Sequence, residues 1–370
     1  MLTTLLICIL TSSPTGKGAF APNLVEDNGS AWMTWIEPAN KEKDITALKC
    51  AKFEDGVWGD ANLVVQGNNF FANWADFPEL GVAKDGSLFV TWPQQSGPGA
   101  YAYDIAVARS DDDGKTWSLM GVLNDDRVLG EHGFVSLVPE GENGVRAFWL
   151  DGRAMSGDGH MGEGGGDMQL RTAIINDKVQ KSELLDTRVC ECCGTDAVVA
   201  EDEAVVIYRD RSDAEIRDIS VTAIGREPMN FFADNWNIEG CPVNGPSLDV
   251  FEDTVAAAWY TAAEDNPAVY VAFSSDPIKI SDSILGRVDL VVTEKNKATV
   301  VWLEPKGEKA VVMLATVRKD GTIQNKTEVA EVSGSRASGF PRIAKLKEGV
   351  LVAWTDLDRD KGISTKFYPN

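Results

Sequence analysis

Short apolar runs that end in an aromatic residue recur along the whole chain. In seven segments, one or two turn residues precede an apolar run, an aromatic residue follows, and polar residues come next, as in "GSAWMTWIEP" and "NKATVVWLEP". The aromatic residues lie 43 to 59 residues apart; they are Trp35, Trp92, Trp149, Tyr208, Trp259, Trp302 and Trp354. This period matches the length of one four-stranded blade of a β-propeller.

The residues around each aromatic predict further strands. In the second unit, "FPELGVA", "SLFVTW", "YDIAVARS" and "TWSLMGVL" alternate with turns such as "KDG" and "DDDGK". Runs of β-branched and aromatic residues bounded by Gly, Asp and Asn are typical of strands, and no segment has a sustained helical period. The sequence therefore predicts an all-β fold, a single β-propeller of four-stranded blades, with seven blades preferred and six as the alternative.

The two ends of the chain are predicted to meet. The seventh unit has only about three strands before Asn370, so the N-terminal segment "TTLLICIL" would supply the missing one and close the ring. The same segment resembles the apolar part of a signal peptide, with a cleavage site at Ala19–Ala21, although no basic residue precedes it and cleavage would leave Pro22 at the terminus. Residues 1–21 are thus either a signal peptide of a periplasmic or secreted protein or a ring-closing strand of a cytoplasmic one. Residues 22–370 form the propeller.

Charge narrows the classes of partner. The chain has 370 residues, with 35 basic against 57 acidic residues, and carries a net charge of −22. Such a surface repels nucleic acid and anionic lipid, and no apolar run reaches the length of a membrane span. We therefore expect a monomer that binds a glycan or another small molecule, with no nucleic acid and no membrane insertion. An anionic ligand would need a local cluster of arginines.

One turn motif carries a family resemblance. Ser110–Trp117 ("SDDDGKTW") matches the Asp-box pattern Ser-x-Asp-x-Gly-x-Thr-Trp. With the blade repeat and strings such as "CECC" and "GCPVNGP", nearly the whole chain resembles the sialidase superfamily of Asp-box (BNR-repeat) propellers, and in particular uncharacterised bacterial sialidase-like proteins. The resemblance implies a glycoside hydrolase, with exo-α-sialidase as the specific activity. The Phe/Tyr-Arg-Ile-Pro motif of sialidases has no counterpart near the N-terminus, and "FPRI" at Phe340–Ile343 is only a scrambled echo of it.

Propeller topology predicts which polar residues share a face. The Asp box joins the third and fourth strands of its blade and so lies on the rear face. Loops that lead into the innermost strands and loops that leave the second strands open on the front face, because neighbouring strands of a blade are antiparallel. The predicted front face holds Trp74, Asp76, Glu131, His132, Cys190, Cys192, Cys193, Cys241, Asn244, Arg287, Asp289 and Arg342, together with Asp151, Arg153, Arg209, Asp210, Arg211, Tyr260, Glu304 and Asp356.

The resemblance implies roles for several of these residues. A sialidase needs arginines that bind the substrate carboxylate, a tyrosine nucleophile with a Glu partner, and an acid/base carboxylate. Asp76 is the expected acid/base, and the hydrolase needs no cofactor. The other candidates are Arg287 and Arg342 with one of Arg153, Arg209 and Arg211 as the clamp, Tyr103, Tyr208 or Tyr260 as the nucleophile, and Glu131 or Glu304 as its partner.

The cysteines support a different function. Cys190, Cys192 and Cys193 precede the innermost strand of one blade and Cys241 that of the next, so all four are predicted to meet, with His132 one blade earlier. Thiolates with an imidazole suit copper(I) or zinc, which would make the protein a metal-binding or redox propeller. Disulfide bonds or free thiols are the alternatives.

A third interpretation is a module that binds a glycan or peptide on the same face without catalysis, since aromatic residues beside arginines serve binding as well as turnover. The glycine-rich segment "SGDGHMGEGGGD", from Ser156 to Asp167, is either a lid over this face or a solvated loop.

Overall fold

A computed structural model describes residues 9–99, 101–155, 166–274, 276–358 and 360–370. The described chain forms seven antiparallel sheets arranged as the blades of a single β-propeller, which confirms the predicted fold and the preferred blade number. Residues 156–165 of the glycine-rich segment lie outside the described residues. Among those described, no helix is long and apolar enough to cross a membrane.

The strands follow one another blade by blade. After β1 (Ile9–Thr11), blade 1 contains β2 (Phe20–Asp27), β3 (Ser30–Asn40), β4 (Ile45–Glu54), β5 (Val57–Trp58) and β6 (Asn62–Gly67). Blade 2 contains β7 (Glu79–Val82), β8 (Leu88–Gln95), β9 (Tyr103–Ser110) and β10 (Ser118–Val122). Blade 3 contains β11 (His132–Glu140), β12 (Gly144–Asp151), β13 (Gln169–Ile175) and β14 (Glu183–Asp186). Blade 4 contains β15 (Asp196–Ala200), β16 (Glu203–Arg209), β17 (Ile219–Ala223) and β18 (Met229–Phe232).

The last three blades repeat this order. Blade 5 contains β19 (Ser247–Phe251), β20 (Thr254–Thr261), β21 (Ala268–Ala272) and β22 (Ile278–Ser281). Blade 6 contains β23 (Gly286–Glu294), β24 (Lys297–Lys306), β25 (Lys309–Arg318) and β26 (Ile323–Ser333). Blade 7 contains β27 (Arg342–Leu346), β28 (Gly349–Thr355) and β29 (Ile363–Pro369). Two short 3₁₀ turns, Ala263–Asp265 and Arg336–Ser338, interrupt the loops.

The ring closes within blade 7. Strand β1 pairs with β29 as the outermost strand, so that the N-terminal segment completes the last sheet as predicted. The hydroxyls of Thr11 and Thr365 lie 2.6 Å apart across this pair. Cleavage of a signal peptide after Ala21 stays a prediction, and in the folded ring Ala21 lies within β2, the innermost strand of blade 1.

The core lies between neighbouring blades. All seven repeated aromatic residues are buried, and each lies on the second strand of its blade. Both faces of these strands contact other sheets; every residue of β12 is buried, for example. A strand buried on both faces reads as a continuous apolar run rather than an alternating pattern, which is why the repeated segments are so apolar.

Carboxylates join the innermost strands of blades 4 to 7. Asp196 accepts a hydrogen bond from the backbone N–H of Leu248 in the next blade at 2.8 Å. Asp249 does the same for Val292 at 2.6 Å, and Asp289 for Ile343 at 3.0 Å. The innermost strand has no neighbouring strand on its channel side, so its N–H groups need such acceptors. We call these three bonds the blade latches: Asp196–Leu248, Asp249–Val292 and Asp289–Ile343.

The turn Ser110–Trp117 joins β9 and β10, the third and fourth strands of blade 2. Asp112 accepts hydrogen bonds from the backbone N–H and the hydroxyl of Thr116 at 2.9 and 2.7 Å. Trp117 donates its indole N–H to the carbonyl of Gly114, whose φ of 69° favours glycine. The turn therefore holds itself together and leaves its polar groups satisfied.

Candidate functional site

Three buried side chains meet on the front face, between the loop that leads into β7 and the start of β11. Tyr103 donates its phenol hydrogen to Glu131 at 2.8 Å, and Asp76 accepts a hydrogen bond from the backbone N–H of Phe134 at 2.9 Å. Oδ2 of Asp76 has no hydrogen-bond partner among the described residues. A Cβ atom at Gly133 would lie 1.9 Å from this oxygen, so only glycine fits beside it. We call Asp76, Tyr103 and Glu131 the carboxyl–phenol triad.

Burial keeps protons on this triad. It raises the pKa of Asp76 to about 7 and that of Glu131 to about 8, and the charge of Asp76 adds to the increase at Glu131. The pKa of Tyr103 is raised well above its usual value by burial and by the two carboxyl groups. Phe71 stacks on the Tyr103 ring with centroids 4.2 Å apart and holds it in place. The two carboxyl groups therefore titrate near neutral pH, beside a phenol.

Two arginines lie over the indole ring of Trp74, two residues before Asp76. Their guanidinium carbons are 4.7 Å (Arg287) and 5.5 Å (Arg336) from the ring centroid. Arg287 donates to the hydroxyl of Ser338 at 2.7 Å, and in the described part of the chain neither arginine pairs with a carboxylate. Burial and repulsion by Arg336 lower the pKa of Arg287 to about 10. An anionic group would relieve this repulsion, so the arginine–tryptophan cluster (Trp74, Arg287 and Arg336) suits an anion.

A cavity in the channel borders Asp76 of the triad. The loop from Trp74 to Phe77 belongs both to this cavity and to the arginine–tryptophan cluster. Asp76 and Phe77 line the cavity, and Trp74 stacks on Phe340, which also lines the cavity. Arg342 and Cys192 also line it. The front of the channel is therefore where a ligand can contact Asp76.

Other arginines predicted for the clamp are held by carboxylates. Arg153 donates to Asp151 at 2.7 Å and to Asp125 at 2.8 Å. Arg211 donates to Glu215 at 2.7 Å and also contacts Glu191. Their charges are already neutralised within the protein, so the structure does not present them as free anion ligands.

Arg209 is held by carbonyl groups instead. It is almost fully buried and donates to three backbone carbonyls at 2.6 to 3.1 Å, one of which belongs to Tyr260. Its guanidinium lies 4.9 Å from the centroid of Trp236, and the ring of Tyr260 packs edge-on against the same indole. Burial raises the pKa of Tyr260. Arg209 thus organises two loops, and its charge has no carboxylate partner among the described residues.

Glu304 lies beside a tryptophan rather than beside a candidate nucleophile. It accepts hydrogen bonds from the indole of Trp302 at 2.9 Å and from Ser281 at 2.5 Å, and pairs with Lys326 at 3.2 Å. The other candidate nucleophile, Tyr208, donates its phenol hydrogen to Asp186 at 2.6 Å. Both arrangements satisfy polar groups where neighbouring blades meet, blades 5 and 6 at Glu304 and blades 3 and 4 at Tyr208.

Arg342 lies among the channel acids. It is 3.4 Å from Glu79 and 3.8 Å from Asp289, and its guanidinium is 4.6 Å from the centroid of Phe77. Burial raises the pKa of both acids, to about 8 for Glu79. Arg342 therefore offsets negative charge in the channel and also reaches the cavity beside Asp76.

The four front-face cysteines lie in one cluster. Cys192 and Cys241 form a disulfide, whereas Cys190 and Cys193 are free and buried. The sulfur of Cys190 lies 2.9 Å from that of Cys193 and 4.0 Å from that of Cys192. Arg217 donates to Cys190 at 3.3 Å. The outcome combines two of the alternatives, a disulfide and free thiols, while copper or zinc binding stays a prediction.

His132 lies away from the cysteines. Its Nε2 is 3.2 Å from Asp126 and 3.7 Å from Asp151, and its Nδ1 is 3.0 Å from the carbonyl oxygen of Tyr103. Burial lowers the pKa of His132, but the two carboxylates outweigh it, so the pKa is raised. The imidazole is thereby engaged with acids, and the structure does not bring it into the sulfur cluster.

Sequence reasoning missed Arg336 and the contact between Arg217 and Cys190. Arg336 belongs to the loop "SGSRASGF" that leads into β27, and the prediction covered only the end of that loop. Its position before an innermost strand was a usable signal. Arg217 belongs to a strand-like run of alternating charges, and nothing in that run indicates a sulfur as the partner.

Comparison with known proteins identifies the fold alone. No family model and no curated protein matches the sequence. The BP39L lectin from Burkholderia pseudomallei superposes with a TM-score of 0.60 at 10% identity, covering 96% of this chain and 97% of the lectin. Polysaccharide lyase Uly1 gives 0.55 at 8% identity over 95% and 90% of the two chains. The α-L-arabinanase of Penicillium chrysogenum, complexed with arabinobiose, gives 0.51 at 11% identity over 99% and 98%. The chain thus shares a propeller with carbohydrate-active and carbohydrate-binding proteins.

Proposed function

We propose that this protein is a glycoside hydrolase that acts on an anionic glycan at the front of the channel. The observation that carries the proposal is the carboxyl–phenol triad, in which Tyr103 donates to Glu131 while one oxygen of the neighbouring Asp76 is buried without a hydrogen-bond partner among the described residues. The carbohydrate-directed proteins that share the fold support a glycan as the ligand. Sialic acid is one anionic sugar of this class, and the Asp-box resemblance favours it.

The triad has the parts of a double-displacement mechanism. Glu131 takes the proton of Tyr103 as the phenol oxygen attacks the anomeric carbon, and protonated Asp76 gives its proton to the departing glycosidic oxygen. Asp76 then acts as the base for a water molecule that attacks the anomeric carbon and displaces the tyrosine oxygen. Tyr103 regains its proton from Glu131. The mechanism starts from the form in which Asp76 carries the proton and the charged Glu131 accepts the hydrogen bond from Tyr103. The raised pKa values of the two carboxyl groups mean that the pair gains and loses its protons near neutral pH.

The arginine–tryptophan cluster supplies the specificity for charge. Arg287 and Arg336 have no carboxylate of their own in the described structure, unlike Arg153 and Arg211, and so remain available to a sugar carboxylate. A net charge of −22 would otherwise repel such a substrate.

The test is hydrolysis of a panel of aryl glycosides that contains a neutral arabinoside, a glucuronide and a sialoside. We expect turnover of an anionic member, and a loss of about 10³-fold or more in kcat for Asp76→Asn and Tyr103→Phe. Tyr208→Phe is the matched control, because it removes another buried phenol that donates to a carboxylate. Unchanged turnover in Tyr103→Phe would disprove the assignment of the nucleophile.

The pH profile tests the carboxyl pair separately. We expect kcat/KM to be greatest between about pH 7 and pH 8, because the pair gains a second proton below this range and loses its only proton above it. A profile that is flat from pH 5 to 9 would contradict a role for these groups.

A second candidate function is glycan binding without turnover. The three triad side chains are each less than 7% exposed, whereas Arg336 at the arginine–tryptophan cluster is solvent-exposed. If no glycoside is hydrolysed but an immobilised anionic glycan is retained, and Arg287→Ala together with Arg336→Ala abolishes retention, binding is the function.

A further inference from the structure

Two pairs of sulfur atoms lie side by side where blades 4 and 5 meet. The disulfide Cys192–Cys241 joins the segment before β15 to the segment before β19, 49 residues further along. Cys190 and Cys193 are free thiols. The sulfur of Cys190 lies 2.9 Å from the sulfur of Cys193 and 4.0 Å from the sulfur of Cys192. Cys190 is thus the sulfur between the dithiol and the disulfide.

Two guanidinium groups lie near Cys190. Arg217 donates to its sulfur at 3.3 Å and is anchored in turn by Glu191 at 2.8 Å and Glu215 at 3.0 Å. Arg209 adds a charge that has no carboxylate partner in the described chain. A thiolate at this position is the nucleophilic form.

The two cysteine pairs differ in their exposure to solvent. Cys190 and Cys193 are 0% and 1% exposed and cannot meet an external reagent directly. Cys192 lines the channel cavity, and Cys241 is only partly buried. An external thiol can therefore reach the disulfide but not the dithiol behind it.

We propose that the four cysteines form a thiol–disulfide relay, in which a crosslink passes between the accessible pair Cys192–Cys241 and the buried pair Cys190–Cys193. The accessible pair would exchange with thiols and disulfides in the surrounding solution. This inference uses none of the residues of the carboxyl–phenol triad and stands independently of the hydrolase proposal.

The internal transfer balances without an added oxidant or reductant. The thiolate of Cys190 attacks the sulfur of Cys192, the Cys192–Cys241 bond breaks, and Cys241 leaves as a thiolate. Cys193 gives its proton to the Cys241 thiolate, attacks Cys190, and releases Cys192 as a thiolate. One disulfide, one thiol and one thiolate are present before and after, so only the position of the crosslink changes.

The test is disulfide mapping of the full chain. The protein is equilibrated at pH 7.5 in glutathione buffers of graded redox poise, quenched with acid, alkylated and analysed by peptide mass spectrometry. We expect the one-disulfide species to contain both linkages, with Cys190–Cys193 making up about a tenth or more of it. Cys190→Ser should retain only Cys192–Cys241. Cys50→Ser, which removes a free buried thiol of blade 1, is the matched control and should leave the mixture unchanged.

A second variant keeps all four cysteines. Arg217→Gln removes the charge beside Cys190, so we expect the rate of transfer near pH 7 to fall about tenfold and its pH dependence to shift to higher pH. Absence of the Cys190–Cys193 linkage at every poise would overturn the relay. Copper or zinc bound to these sulfurs in the native mass spectrum of the purified protein would overturn it too, in favour of a metal site.

Discussion

Two acidic residues predicted to lie on the front face are partners of buried tryptophans. Asp151 and Glu304 each lie two residues after a tryptophan of the repeat, and side chains at positions i and i+2 of a strand share a face. The indole N–H of Trp149 donates to Asp151 at 2.7 Å, and that of Trp302 to Glu304 at 2.9 Å. At Trp149 and Trp302 the acidic residue two positions later therefore accepts the hydrogen bond that the buried indole needs. Trp354 has Asp356 at the same spacing, but its indole N–H has no partner among the described residues.

Glu304→Gln tests this structural role. The amide keeps one acceptor but loses the charge that faces Trp302 and Lys326, so we expect the free energy of unfolding to fall by about 1–2 kcal/mol while turnover or ligand binding is unchanged. Urea denaturation measures the first and the glycoside panel the second. A loss of turnover or ligand binding at unchanged stability would instead assign Glu304 to the active site.

Burial and charge at single residues set the limit of what the sequence predicts. Asp76, Tyr103 and Glu131 were among the candidates, because each precedes or begins a strand on the front face. The same reasoning selected Arg153 and Arg211, which the fold pairs with carboxylates from loops distant in sequence. The sequence pattern indicates which residues lie on the front face, but only tertiary contacts decide which of their charges are neutralised.

At the scale of strands, the blade latches couple stability to pH. Burial raises the pKa of Asp196 to about 6 and that of Asp249 to about 7. An acid whose pKa is higher in the folded chain binds more protons when folded, so its contribution to stability is complete below the unfolded value of about 4 and is lost as the pH rises to the folded value. The latches thus favour the folded ring at mildly acidic pH.

We therefore expect the Tm to decrease between pH 5 and pH 8 at constant ionic strength. Asp249→Asn keeps an acceptor for the N–H of Val292 but cannot titrate, so the decrease should be smaller in this variant. Thermal melts at four pH values measure both effects. A Tm that is constant or rises across this interval would contradict the argument.

At the scale of the whole molecule, the ring depends on pairing between the two ends of the chain. The seven repeats and the incomplete last unit sufficed to predict seven blades and an N-terminal closing strand, because a missing strand in a closed sheet can come only from the other end. The latches were not predictable, since an acidic residue on an innermost strand has the same pattern whether it faces a ligand or an amide.

A crosslink between Thr11 and Thr365 tests the closure. Their hydroxyls are 2.6 Å apart, so Thr11→Cys with Thr365→Cys should form a disulfide and raise the free energy of unfolding by about 2–4 kcal/mol, since it restricts a very long loop in the unfolded chain. Thr11→Cys with Thr365→Ser serves as the control that cannot crosslink. If the two introduced cysteines of the double variant do not form a disulfide, β1 does not pair with β29.

The blade latches also provide probes for the separation of neighbouring blades. The amide protons of Leu248, Val292 and Ile343 each lie on the channel edge of one blade and are covered by a carboxylate from the blade before it. Separating two neighbouring blades exposes such a proton to water even if both sheets remain intact. Hydrogen–deuterium exchange at these three amides therefore reads the opening of individual blade junctions, distinct from the unfolding of the blades themselves.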